Sequence, residues 1–269
     1  MLKNLSVSSS GYYNWLKKIP SKQQNKKEAL TIEITEIHNE SHQIYGAPKI
    51  TSILKARGHI IAEKTVGNYM REAGIKAIWV RPYIRTTIDP DFDLKLKNIL
   101  NREFSPQKPN AAWVTDITYI YTLSGFVYLT SVMDLFSRKI IGWHLSDTLA
   151  AEHVLLAIEK AKENRKTTQP VIIHSDRGSQ YVSKAYIEAT PANKFIRSYS
   201  HKGNPWDNAC IESFHALIKR EWLNRYVVKN IEHAHQLIFE YIETFYNTTR
   251  IHEHCNMMSP YDFEKSVAV

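Results

Sequence analysis

The sequence predicts a mixed α/β core whose helices can cover both faces of its sheet, preceded by a small all-α module of helix-turn-helix type. Three observations predict it. From residue 111 onward the apolar pattern runs strand, strand, strand, helix, strand, helix, strand, helix. Residues 29–75 carry helical spacing only. The net charge of +8 belongs to the N-terminal third, since residues 1–88 hold 14 Lys/Arg against 6 Asp/Glu and residues 89–269 hold 21 against 21. That asymmetry fits a polyanion-binding module joined to a domain with another task.

Composition bounds the rest. A chain of 269 residues is long enough for one large domain or a core plus a smaller module. Its 43% hydrophobic and 23% charged residues are ordinary for a soluble protein, and no run approaches the roughly 18 apolar residues of a membrane span. "MLKNLSVSSSGYYNWLKK" lacks a signal peptide's apolar stretch, so a cytoplasmic protein is expected. Cys210 and Cys255 form no Cys-x-x-Cys pair, which argues against a disulfide framework and a four-ligand zinc module. His252, His254 and Cys255 are spaced too tightly for the usual zinc ligands.

Element by element, residues 1–28 are assigned to an N-terminal helical segment and 29–88 to the helix-turn-helix-like domain. "EALTIEITEIHNES" gives a first helix, and "YGAPKITSILKARG" a second that starts near Pro48 and stops at Gly58. "AEKTVGNYMREAG" gives a third ended by Gly74, with Lys64, Asn68 and Arg71 on its polar side, where a helix entering a major groove needs them. Residues 89–105, within a proline-marked irregular stretch, are a linker with room for one short helix. The core then occupies 106–269. "AAWVTDITYIYT" and "GFVYLTSVMDLF" form a hairpin through Leu123 and Ser124, and "KIIGWHLSD" adds a third strand. "AAEHVLLAIEKAKENR" is an amphipathic helix, "QPVIIHSD" a buried strand, "SKAYIEA" a helix and "KFIRSYS" a strand. "NPWDNACIESFHALIKREW" and "IEHAHQLIFEYIETFYN" close the chain as helices.

Several acids need an account. Asp116 lies among β-branched neighbours in a central strand, a costly place for a carboxylate unless a cation or a donor group pairs with it. Asp176 stands where an apolar strand runs into Gly178, at a strand's C-terminal end, where open α/β sheets place their sites and where a turn Asp is equally at home. Asp134, at another strand end, is a rival with the same two readings. In the helix from 204 to 222, Asp207 is placed to cap the N-terminus and Glu221, beside Lys219 and Arg220, reads as a solvated charge. Glu212 shares a face with Ala216 and Lys219 beside the apolar arc, and the helical wheel alone leaves it a surface residue.

Spacing changes its status. Asp176 and Glu212 are separated by 35 residues, with Asp116 upstream on the first strand. With "WVTDITYI", "SVMDLFSRKIIGW", "HSDRGSQY" and "SHKGNPWDNACIESFHALIKREW" in that order, the chain resembles the OrfB-type transposases of the IS-three family of insertion sequences. Their D,D-35-E cores share a ribonuclease H-like fold with retroviral integrases. "SGYYNWLKK", "YGAPKI", "TVGNYMREAGIKA" and "FYNTTRIHEH" extend the resemblance over nearly the whole chain. It implies a DNA transposase, a polynucleotidyl transferase that hydrolyses a phosphodiester and then joins the freed 3′-hydroxyl to another strand. It further implies that Asp116, Asp176 and Glu212 are catalytic and hold two Mg²⁺ ions, with Mn²⁺ as a substitute. Hard cations on carboxylate oxygens suit that chemistry. Lys219, Lys202, Asn204 and Trp206 are candidate DNA contacts, as are Arg177, Ser179 and Gln180; for Lys219 a structural pairing with Glu212 is the alternative. Asn247, Arg250 and His252 match a family motif of underived role. The partners implied are DNA (the element's terminal inverted repeats and the target), further copies of the chain on DNA, and an upstream OrfA, with no membrane and a nucleoid-associated place in the cytoplasm. The chain carries no heptad run, so it looks like the OrfB part alone.

Overall fold

The computed structural model describes residues 8–16, 21–78 and 96–267. The chain divides into two units, Met1–Ile78 and Trp79–Val269.

The first unit is helical. α1 (Ser9–Leu16) is followed by α2 (Lys22–Glu40), which begins within the stretch assigned to the N-terminal segment and is capped by the Ser21 hydroxyl accepting from Gln24 N at 3.1 Å. α3 (Ala47–Ala56) has Pro48 in its first turn, where a missing N–H costs nothing. A short connection through Gly58, whose φ of +91° lies in the left-handed region, leads to α4 (Glu63–Glu72). Ile34, Ile37, Ile50, Leu54, Val66 and Met70 are buried and form this unit's apolar centre.

The second unit holds a five-stranded sheet in the order β3-β2-β1-β4-β5. β1 (Ala112–Thr122) and β2 (Gly125–Asp134) form the hairpin through Leu123 and Ser124, with Thr122 opposite Gly125. β3 (Ile140–Ser146) is antiparallel to β2, while β4 (Val171–Ser175) runs parallel to β1 and β5 (Phe195–Tyr199) parallel to β4. α5 (Ala151–Arg165) lies so close to β3 that a Cβ on Gly142 would stand 2.3 Å from the Ala157 carbonyl oxygen. Only glycine permits that approach. Trp113, Val132 and Ile141 from the sheet, with Val154, Ala157 and Ile158 from α5, make the core on that side. α6 (Lys184–Ala189), α7 (Ala209–Glu221), α8 (Ile231–Phe239) and α9 (Pro260–Val267) complete the unit.

Several details differ from the expectations. The proline-rich stretch is described only from residue 96, and residues 96–111 contain no helix; residues 79–95 lie outside the described residues. The last long helix changes to a π-helical turn over Glu240–Tyr246. Glu221 is no solvated charge. It is buried, accepts two bonds from the Arg250 guanidinium at 2.7 and 2.6 Å, and accepts a third from the Tyr241 hydroxyl at 2.7 Å. This ties the end of α7 to the chain beyond α8, a role for Arg250. Asn247 bonds both backbone groups of Ile140, which joins the same region to β3. Asp207 is not a helix cap either. It is buried in a 3₁₀ turn, Pro205–Asn208, and accepts bonds from Arg102 Nε, Asn98 Nδ2 and the His201 backbone. Burial would raise its pKa, but these bonds outweigh it and hold the carboxyl down to about 2. Asp134 is wholly buried and structural. Asn110 N and Phe136 N donate to it and Arg165 pairs with it, yet burial still pushes its pKa up to about 6.

Candidate active site

Two carboxylates come from adjacent parallel strands. The last paired rung of β1 and β4 is Val114 opposite His174, and Asp116 and Asp176 each stand two residues beyond it. Equal offset on parallel neighbours carries both acids to the same end of the sheet, one strand apart. Asp116 is half-buried, whereas Asp176 is exposed, with one oxygen accepting from Gly178 N at 2.9 Å. Tyr181 is buried and places its hydroxyl 3.2 Å from Thr115 Oγ1. Burial first, then the negative charges of Asp116 and Asp176, hold that phenol well above its usual pKa.

α7 carries Glu212. Its contacts follow β1 in order: Asn208, at its start, donates from Nδ2 to the Thr115 carbonyl at 3.3 Å, His215 Nδ1 lies 3.4 Å from Asp116 Oδ2, and the Lys219 ammonium sits 4.4 Å from the Tyr119 ring centre. At 3.6 residues per turn, Asn208, Glu212, His215 and Lys219 fall within about 60° of one another around the helix. Glu212 is therefore bracketed, one turn on either side, by residues that touch Thr115 and Asp116. It lies on the flank that meets β1. His215 also reaches Ser131 on β2 through Nε2 at 3.2 Å, so this buried ring pins α7 to two strands. The other flank of α7, with Cys210 and Leu217, borders a cavity of about 250 Å³ that also touches Tyr246 and His254. That cavity is not lined by any of the three acids.

Glu212 is exposed. Among the described residues no group of three or more His, Cys, Asp or Glu is gathered closely enough to hold a metal ion. The donor set nevertheless fits a hard divalent cation, because it is all carboxylate and open to water and phosphate oxygens.

The other expected residues fall into two groups. Arg177 is engaged structurally, donating to the Ser200 carbonyl at 2.8 Å and the Leu96 carbonyl at 3.2 Å, and Gln180 donates to the Leu149 carbonyl. Lys202 and Trp206 are exposed in the loop before α7, Trp206 at 71%, and Asn204 is half-buried beside them. Lys64 and Arg71 are exposed on α4, and Arg71 donates to Asn68 Oδ1 at 3.0 Å. Sequence reasoning missed Asn208, His215 and Tyr181. The first two carried a legible signal, four residues before and three after Glu212, but a wheel drawn through apolar residues passes over them.

Residues 106–205 and 195–260 match integrase core domain families, and residues 25–83 match a family of HTH-like domains. The transposase for insertion sequence element IS904 of Lactococcus lactis is 38% identical over 91% of this chain and 97% of its own length. Transposase InsF for insertion sequence IS3A of Escherichia coli is 35% identical over 98% of this chain and 92% of its own. Among solved structures, a chain of the simian T-cell lymphotropic virus intasome in complex with a PP2A regulatory subunit aligns at TM-score 0.49 and 15% identity, covering 86% of this chain and 74% of that one.

Proposed function

The chain belongs to the IS-three family of insertion-sequence transposases, and from that premise we propose that Asp116, Asp176 and Glu212 are its catalytic carboxylates, which cut a phosphodiester at the element's end and join the freed 3′-hydroxyl to target DNA. The observation that carries the reading is the bracketing of Glu212 by Asn208 on Thr115 and His215 on Asp116, together with the equal offset of Asp116 and Asp176 on parallel strands. The three carboxylates would hold two Mg²⁺ ions, with Mn²⁺ able to replace them. Such ions, when bound, activate the attacking oxygen and offset charge on the leaving one. His215 orients Asp116, and Tyr181 bonds Thr115, the neighbouring residue on β1. No side chain need bond covalently to DNA, since water is the first nucleophile and the 3′-hydroxyl the second.

DNA contacts follow from placement and charge. Lys64, Asn68 and Arg71 on α4 are assigned to duplex recognition, and Lys202, Asn204, Trp206 and Lys219 to the DNA nearest the acids. The terminal inverted repeats of the element and target DNA are the proposed substrates, with further copies of the chain and an upstream OrfA as partners in the nucleoid. The test supplies labelled element-end duplex with Mg²⁺ and measures cut and joined products. Glu212→Gln should lower both by at least about a hundredfold, in the range of losing an essential charge at the reacting centre, while leaving DNA binding intact. Equal activity in the variant removes the assignment, and cutting of RNA–DNA hybrid without joining would replace it with a ribonuclease.

A further inference from the structure

We infer that the ringed face of the β1–β2 hairpin is a stacking surface for unpaired nucleotides of the DNA strand beside the reacting phosphate. This rests on the function proposed above. Tyr119, Tyr121 and Phe126 are 53%, 66% and 52% exposed. They share one face of the sheet, since Tyr119 and Tyr121 are two residues apart and Phe126 pairs with Tyr121. Phe126 meets both tyrosines edge to face, at 5.7 and 5.6 Å between ring centres. An exposed cluster of three rings is more apolar surface than a free sheet face usually shows to water.

What borders the rings identifies the occupant. Leu123 N and Ser124 N, at the hairpin tip, donate to the carbonyls of Val228 and Lys229 at 2.9 and 3.2 Å, so the segment after α7 lies against the tip. From residue 219 to 229 the sequence reads KREWLNRYVVK, with four cations and one acid. That acid is Glu221, buried and bound by Arg250. Lys219 stands over Tyr119 itself and brings positive charge to this margin. Aromatic faces beside cations are the elements with which proteins hold single strands: rings take the bases and cations the phosphates. A second copy docked by two-fold symmetry would set like cations against each other.

The path from the acids is short. Tyr119 and Tyr121 lie three and five residues past Asp116, roughly 10 and 17 Å along the strand. β4 pairs β1 only over Ala112–Val114. Beyond that rung β1 has no described partner strand on its β4 side. By alternation Asp116 faces the α7 side and the rings face the α5 side, yet Lys219 of α7 reaches Tyr119, which joins the two along this margin. A strand unpaired next to the cut can follow it.

The test uses the full chain and duplexes of one sequence that end blunt or in a five-nucleotide single-stranded tail carrying 2-aminopurine. Tailed DNA should bind about tenfold more tightly than blunt, with the tail's fluorescence quenched, as base stacking on an aromatic ring predicts. Tyr121→Leu and Phe126→Ala should abolish both effects and leave blunt-duplex affinity within about twofold, and Phe126→Trp should retain them. Equal affinity of the wild-type chain for both ends, or variants that keep the preference, overturns the inference while the catalytic reading stands. A change in sedimentation of the variants would assign the face to a second copy and overturn it likewise. Failure to bind either DNA defeats the catalytic reading as well.

Discussion

At the scale of single residues, the acids divide by what satisfies them. Glu221, Asp207 and Asp134 are buried and fully engaged by protein donors, whereas Asp176 and Glu212 remain exposed. A buried carboxylate bonded to Arg250 and Tyr241 is structural. Removing its charge strands the Arg250 guanidinium in the interior, so Glu221→Gln should destabilise the catalytic unit by about 3–5 kcal/mol, read as a lower urea midpoint. Asp207 makes a pH-dependent contribution. Its pKa is depressed from the ordinary 3.8 to about 2, so its stabilisation is present above about pH 4 and lost as pH falls through about 2. Asp207→Asn should flatten the acid limb of stability between those values in thermal melts, and an unchanged limb would show that its ion pairs contribute little.

At the scale of elements, position depends on close approaches. β3 and α5 meet at Gly142, where any side chain collides with the Ala157 carbonyl and the Ala161 nitrogen. Gly142→Ala should therefore cost about 1–3 kcal/mol as α5 is pushed off the sheet, measurable by chemical unfolding. α7 is set by polar contacts as much as apolar ones. Ile211, Phe214 and Ile218 bury its inner face, but Asn208 and His215 fix which flank meets β1. The strands, α3 to α6 and the hairpin turn were legible in sequence, because their periodicity and turn residues are local signals. The break into π-helix at Glu240 was not, since it answers to packing around Tyr241 and Tyr246.

At the scale of the molecule, charge and catalysis are divided between two units. The helical unit, with 12 Lys/Arg against 6 Asp/Glu over residues 1–78, carries most of the net positive charge, and the proposed acids all belong to the other. If α4 meets DNA as proposed, replacing Lys64 and Arg71 with Ala should weaken duplex binding uniformly across sequences. The slope of log affinity against log salt should fall by about one for each phosphate no longer neutralised, and an unchanged slope would remove α4 from the interface.

The sequence by itself determined the order of elements, the helical module before an α/β core, and the spacing that singled out Asp116, Asp176 and Glu212. Those features are written in periodicity, turn chemistry and residue separation, which need no knowledge of neighbours. Only the tertiary structure decided that Asp116 and Asp176 occupy equal offsets on parallel strands, that His215 and Asn208 set the flank of α7 carrying Glu212 against β1, and that Asp207 and Glu221 are buried ion-pair centres. Whether a carboxylate is solvated or enclosed depends on groups that fold against it from elsewhere in the chain. For Glu221 that group is Arg250, 29 residues away, and for Asp207 it is Arg102, 105 residues away.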